Sequence, residues 1–145
     1  MAPDTPARRP THLWIVGALA LLWNAFGAFD YLATQLQVES YLAQFTPEQR
    51  AYFDSFPSWA VAAWAFGVWG GVAGSIALLM GRAWAVWAFA ISLAGMAVSW
   101  GYQFAMSDGV EMMGDAAIWM SVTITAVAIA LLWYSMRQRS RGALR

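Results

Sequence analysis

Cysteine is absent from the 145 residues. Its absence removes disulfides, thiolate metal sites, iron–sulfur clusters and a cysteine nucleophile. Histidine occurs once, at position 12. A single histidine cannot supply bis-histidine haem or a histidine-clustered zinc site within one chain. Charge is scarce too: 11% of residues are charged, against about 25% in a soluble domain. Lysine is missing, so all eight basic residues are arginine, and the formal net charge is zero. No serine–histidine pair, phosphate loop or zinc motif occurs. Asp108, Glu111 and Asp115 match no calcium-loop spacing, and Asp108-Gly109 reads as an ordinary turn in a solvated acidic loop. These absences point away from an enzyme, a metal site, a cofactor and a nucleic-acid partner.

Apolar residues dominate what is present: 61% of the chain is hydrophobic, with a mean hydropathy of +0.51. Four long segments carry no charge, at residues 13–29, 55–81, 83–107 and 116–136. A membrane-spanning helix needs about 20 predominantly apolar residues. The first segment reaches that length only if Asp30 lies within the span. The sequence therefore predicts an all-α, four-helix transmembrane bundle in one domain over residues 1–145, with spans near 12–35, 58–80, 83–106 and 116–136, in contact with the lipid bilayer.

The placement of charge predicts the topology. Arg8, Arg9, Arg82, Arg137, Arg139, Arg141 and Arg145 fall at the two ends and in the second connection. Glu39, Glu48, Asp54, Asp108, Glu111 and Asp115 fall in the other two connections. The positive-inside rule puts both termini in the cytoplasm and the loops 37–57 and 108–115 outside. Arg8-Arg9 before an apolar run also resembles a signal peptide, but Asn24 and Asp30 within the run favour topology anchoring. The arginine-rich stretch 137–145 is expected to meet anionic headgroups.

Two stretches have finer structure. In the first outer loop, Thr46-Pro47-Glu48-Gln49 is a capping box with proline at the first helical position. It predicts a short amphipathic helix from Pro47 to about Ser55, acting as a lid or as an interfacial linker. In the second span, Gly67, Gly70, Gly71 and Gly74 form a small-residue stripe for close helix packing, within the chain or across a homo-oligomer.

The stretch WNAFGAFDYLATQ places Asn24, Gly27, Ala28, Tyr31 and Gln35 on one helical face with Asp30 on its flank. A carboxylate within a span costs about 2.5–3.5 kcal/mol on insertion scales and is a functional candidate by default. Arg50, the one outer cation, or Tyr102 and Gln103 are its expected partners. Trp64 lies beside the polar face. Asn24, Asp30, Tyr31, Gln35, Arg50, Trp64, Tyr102 and Gln103 are thus the candidate ligand-binding residues of an outward-facing polar pocket, in which Ser99, Ser121 and Thr125 would share. The same polar side chains also serve as interhelical hydrogen bonds worth about 0.6 kcal/mol each.

The segments WNAFGAFDYLATQ and YLAQFTPEQRAYFDSFPSWAVAAWAFGVWGG, with the closing LLWY and its arginines, resemble a family of small four-helix bacterial inner-membrane proteins sometimes labelled "sugar transporter". Asp30, Tyr31, Gln35, Thr46, Pro47, Gly70 and Gly71 lie in the matching segments. The resemblance implies a multi-pass protein of the bacterial cytoplasmic membrane. Two functional readings follow. One is binding or transport of a small polar solute such as a sugar or polyol, for which four helices would need a dimer. The other is a non-transporting accessory or scaffold protein that binds another membrane protein.

Overall fold

The computed structural model describes residues 9–145. Of the Arg8-Arg9 pair only Arg9 falls within it, and the stretch before Arg9 lies outside the described residues. Six α-helices follow in order: α1 (Thr11–Gln35), α2 (Glu39–Leu42), α3 (Pro47–Asp54), α4 (Ser58–Leu79), α5 (Ala85–Gly101) and α6 (Gly109–Ser140). No strand occurs among the described residues. Four stretches are long and apolar enough to cross a membrane: Thr11–Gln35, Ser58–Leu79, Ala85–Met106 and Gly109–Ser140. Trp14, Leu19, Leu22, Phe26, Phe66, Trp87, Ile91, Trp119, Ile129 and Trp133 are exposed along these helices. Contiguous apolar surface of that extent is rare on a soluble monomer and is compatible with lipid contact.

Helix ends explain how the chain turns. After α4, Gly81 takes a left-handed conformation (φ 65°). Its N–H donates to the Leu78 carbonyl, and the Arg82 N–H reaches back to Ala77. That is a Schellman motif, and it satisfies the last carbonyls of the helix. α6 ends in the same way: Gly142 (φ 72°) donates to Arg139 and Ala143 to Gln138. α1 uses the same bonding pattern at Gln37 (φ 54°), which donates to Thr34 while Val38 donates to Ala33. A non-glycine residue in this region carries strain. The Gln37 side chain is tied down at the same time, donating to the Asp54 carboxylate at 3.1 Å. Thr46 and Gln49 form the reciprocal capping box of α3, with bonds of 3.1 and 3.2 Å.

α1, α4, α5 and α6 pack as an open arc in that order. α4 and α5 meet through small residues: Ala60, Ala63, Gly67 and Gly74 are buried on one side, Ala85, Ala88, Ser92, Gly95 and Ser99 on the other. A Cβ on Gly95 would lie 2.6 Å from the Ala63 carbonyl oxygen and 2.6 Å from the Gly67 nitrogen, and one on Gly70 would lie 2.9 Å from the Ser92 nitrogen. Gly71 instead faces α1, where the Asn24 side chain occupies the space a Cβ would need. The stripe therefore serves two neighbours within the chain.

One end of the arc holds a core of Leu13, Ala77, Leu78, Ala85, Phe89 and Leu144. Here α1 and α6 touch, with His12 Nδ1 and the Tyr134 hydroxyl sharing a 2.6 Å hydrogen bond. The stretch 137–145 is not a free tail. α6 runs on to Ser140, Leu144 is buried, and Arg145 exchanges backbone hydrogen bonds of 2.9 and 3.0 Å with Ala83 and Gly81.

Two other boundaries differ from the sequence reading. The third span leaves α-geometry after Gly101 for a π-helical turn, Tyr102–Met106. Helix is present from Gly109 onward where a turn was expected, but Gly114 (φ 71°, ψ −174°) breaks it, so a separate helical run begins near Asp115. The carboxylate there suits the positive end of that run's dipole.

Candidate functional site

Away from the shared core, α1 and α6 part, and a cleft of about 600 Å³ opens between them. α1 contributes Trp23, Asn24, Phe26, Gly27 and Asp30 to its wall, and α6 contributes Met120, Ile124, Val127, Ala128 and Leu131. Val68 of α4 and Phe89, Ser92 and Met96 of α5 form the floor. Tyr41 and Phe45, from α2 and the turn after it, close the end farthest from the termini. At Gly27 on the α1 wall an added Cβ would meet nothing within 4 Å, because the facing α6 residues do not reach across.

The cleft's polar groups differ in what they have left to offer. Ser92 donates to the Gly67 carbonyl of α4. Asn24 donates through Nδ2 to the Ala20 carbonyl at 2.8 Å and to Ser75 Oγ at 3.1 Å. Ser75 in turn donates to the Gly71 carbonyl at 2.8 Å. These bonds knit α1 to α4 and α5 to α4, and they use up the donors of Ser92 and Asn24. Asp30 is different. The Tyr41 hydroxyl donates to its Oδ1, and among the described residues no other hydrogen-bond partner and no cation meets it. Tyr41 is braced edge-on by Phe29 and Phe45, with ring centroids 5.5 and 5.8 Å away. Burial first, and then the hydrogen bond and charge of Asp30, hold the Tyr41 phenol above the ordinary tyrosine range.

The structure does not gather the eight sequence-derived candidates into one pocket. Asn24 and Asp30 line the cleft. Tyr31 packs edge-on against Trp64 at 5.0 Å and Trp69 at 6.4 Å, towards α4. Gln35 is exposed at the last turn of α1. Arg50 does not reach Asp30. Its Nη1 pairs with Glu39 at 2.9 Å, and its Nε donates to the Leu42 carbonyl at 2.9 Å, which braces α2 on α3. Tyr102 sits in an aromatic group with Phe56 at 5.0 Å and Trp59 at 5.4 Å. Gln103 lies beside Ser107, which donates to its carbonyl at 3.0 Å and shares a 2.7 Å bond with Tyr52. Thr125 donates to the Ser121 carbonyl of its own helix, and Ser99 is buried in α5. The physical reason is rotation: Tyr31, one residue beyond Asp30, points about 100° away around the helix.

Tyr41, Phe45 and Met96 belong to the site and carry no motif that marks them. The available signal was the cluster of aromatics after Asp30, which the sequence reads as interfacial. The one-turn helix α2, which aims Tyr41 back at α1, follows from the left-handed Gln37 rather than from any periodicity. No group of metal-ligating side chains occurs among the described residues. Comparison with protein-family models, with curated proteins and with solved structures gave no match.

Proposed function

We propose that this chain is a multi-pass membrane protein that binds a small amphipathic molecule in the cleft between α1 and α6. The observation that carries the proposal is one cleft combining an apolar body, from Val68 and Phe89 to Leu131, with a single polar end at Asp30 and Tyr41. A volume of about 600 Å³ lies within the roughly 300–1,000 Å³ of ordinary ligand sites. The apolar lining favours a molecule with a hydrocarbon part over a free sugar or polyol, whose hydroxyls would be desolvated there without partners. In this reading Arg9, Arg82, Arg137, Arg139, Arg141 and Arg145 face the cytoplasm, and Asp30 and Tyr41 lie towards the outer leaflet. The resemblance to small bacterial inner-membrane proteins implies a cytoplasmic-membrane location.

Absence of cysteine makes a clean test practicable. Single cysteines at Ile124, on the cleft wall, and at Ala94, exposed on α5, are labelled with a lipophilic maleimide in vesicles. Octyl glucoside below its solubilising concentration is expected to slow labelling at 124 and not at 94, and free glucose to slow neither. Protection by glucose as strong as by octyl glucoside would return the site to a sugar or polyol.

A second reading is an accessory protein whose partner inserts a helix into the same cleft. It is favoured by the sparse burial of α6, where only Gly109, Ala128, Ser135 and Gln138 are buried. Crosslinking from position 124 in native membranes to one other protein at fixed stoichiometry would select it.

A further inference from the structure

Resting on that cleft reading, we infer that the molecule bound there is an organic cation: an ammonium-like group seated at Asp30, with an apolar body along the cleft. The argument is an account of donors and acceptors. An ionised carboxylate has about four acceptor sites, and Tyr41 fills one of them. Asp30 therefore presents acceptor capacity to the cleft that it lines. The cleft's hydroxyl and amide donors are committed elsewhere, the Ser92 hydroxyl to Gly67, the Asn24 amide to Ala20 and Ser75, and the Tyr41 hydroxyl to Asp30 itself, which leaves the Trp23 indole N–H as the one further donor of the lining. An anionic or polyhydroxylic ligand brings several acceptors that need donors, and beyond the one indole N–H would leave them unpaired at a cost of about 1–3 kcal/mol each. A cation brings no acceptor and asks for none of these donors.

Charge points the same way. A carboxylate within a span is costly without a counter-charge; Asp30 is half-buried, and Arg50 is held by Glu39 and the Leu42 carbonyl. Arg9 donates to the Leu79 carbonyl, and Arg145 is tied by its backbone to Gly81 and Ala83, both at the far end of the bundle. The rings of Trp23, Phe26, Tyr41 and Phe45 line the same space, and the negative faces of aromatic rings attract cations, most strongly where water is excluded.

Two amphiphiles with the same eight-carbon chain test the charge. Octyltrimethylammonium and octyl glucoside are each titrated against maleimide labelling of Ile124→Cys in phosphatidylcholine vesicles, with Ala94→Cys correcting for partition into the bilayer. The cation is expected to protect position 124 at a concentration at least tenfold lower than the glucoside. Asp30→Asn should raise the concentration of the cation needed for protection until the two lie within twofold, and Tyr41→Phe, which keeps the carboxylate, should reduce the preference less than Asp30→Asn does. Equal protection by both amphiphiles with Asp30 intact overturns the charge inference and leaves the cleft reading standing. Protection by neither overturns the cleft reading and the inference with it. Should Asp30→Asn fail to fold, the comparison of the two amphiphiles on the Asp30 chain, together with Tyr41→Phe, still decides the question.

Discussion

The seam between α4 and α5 and the gap between α1 and α6 are built from the same residue type used to opposite effect. On the seam, glycine lets two backbones come so close that a Cβ on Gly95 would press on Ala63 and Gly67. Across the gap, the Cβ position of Gly27 faces empty space. Lipid tails are as apolar as leucine, so helices in a membrane gain nothing from burying leucine against each other; they associate where backbones fit closely and polar groups bond across. α4 and α5 have that fit along much of their length, and the Ser92 bond to Gly67 adds to it. α1 and α6 meet only near their terminal ends, at His12 and Tyr134. Along the rest of the gap, the bulky residues of α6 face the cleft without a complementary groove on α1.

The largest expected effect tests the closeness of the seam. Gly95→Leu should cost about 3 kcal/mol or more, at or beyond the top of the usual overpacking range, whereas Ala126→Leu, exposed on α6, should stay within about 0.5 kcal/mol. Thermal melts in nanodiscs compare them, and equal melting temperatures would mean that the seam is not where the bundle is held. Next comes α3, whose Arg50 braces α2. Thr46→Ala removes one half of the α3 capping box and should cost about 1 kcal/mol. The loss should be read as faster hydrogen exchange in α3 and not in α4. A uniform increase across both helices would make the loop and bundle a single unit.

Asn24→Ala probes the link between the two regions, since Asn24 both lines the cleft and bonds to Ser75. It should cost about 0.6 kcal/mol, because Ser75 keeps its bond to Gly71. A cost of several kcal/mol would make Asn24 the main clasp of α1.

Alkaline titration reads the closed end of the cleft. The raised Tyr41 pKa means that its contribution is whole below the unfolded value of about 10 and is lost as pH rises through the higher folded value. Ultraviolet titration of the wild type minus Tyr41→Phe should show a midpoint above that of free tyrosine, and an ordinary midpoint would show the phenol released from Asp30. The smallest effect on stability is expected for Gly27→Leu, within about 0.5 kcal/mol, although it fills part of the cleft and should weaken protection at position 124. A large destabilisation would show that α1 and α6 close on each other.

Composition and periodicity determined much of this protein. Three uncharged segments of spanning length, and a fourth that reaches it by including Asp30, predict an all-helical chain, and the described residues form helices and no strand. The capping box at Thr46 and the Gly67–Gly74 stripe are local signals whose physics acts within a few residues, and the structure carries both.

Which side chains meet was decided only by the tertiary structure. Hydropathy records that Asp30, Arg50, Tyr102 and Gln103 are polar and near one end. It does not record the rotation of each helix about its axis, and a shift of one residue turns a side chain by about 100°. That rotation sends Tyr31 to Trp64 and Asp30 into the cleft. The pairing of Arg50 with Glu39, rather than with Asp30, depends on α2, whose direction is set by a strained, left-handed Gln37 that no propensity predicts. The cleft itself follows from two helices failing to fit. Such a misfit belongs to the pair of surfaces and is encoded in neither sequence segment alone.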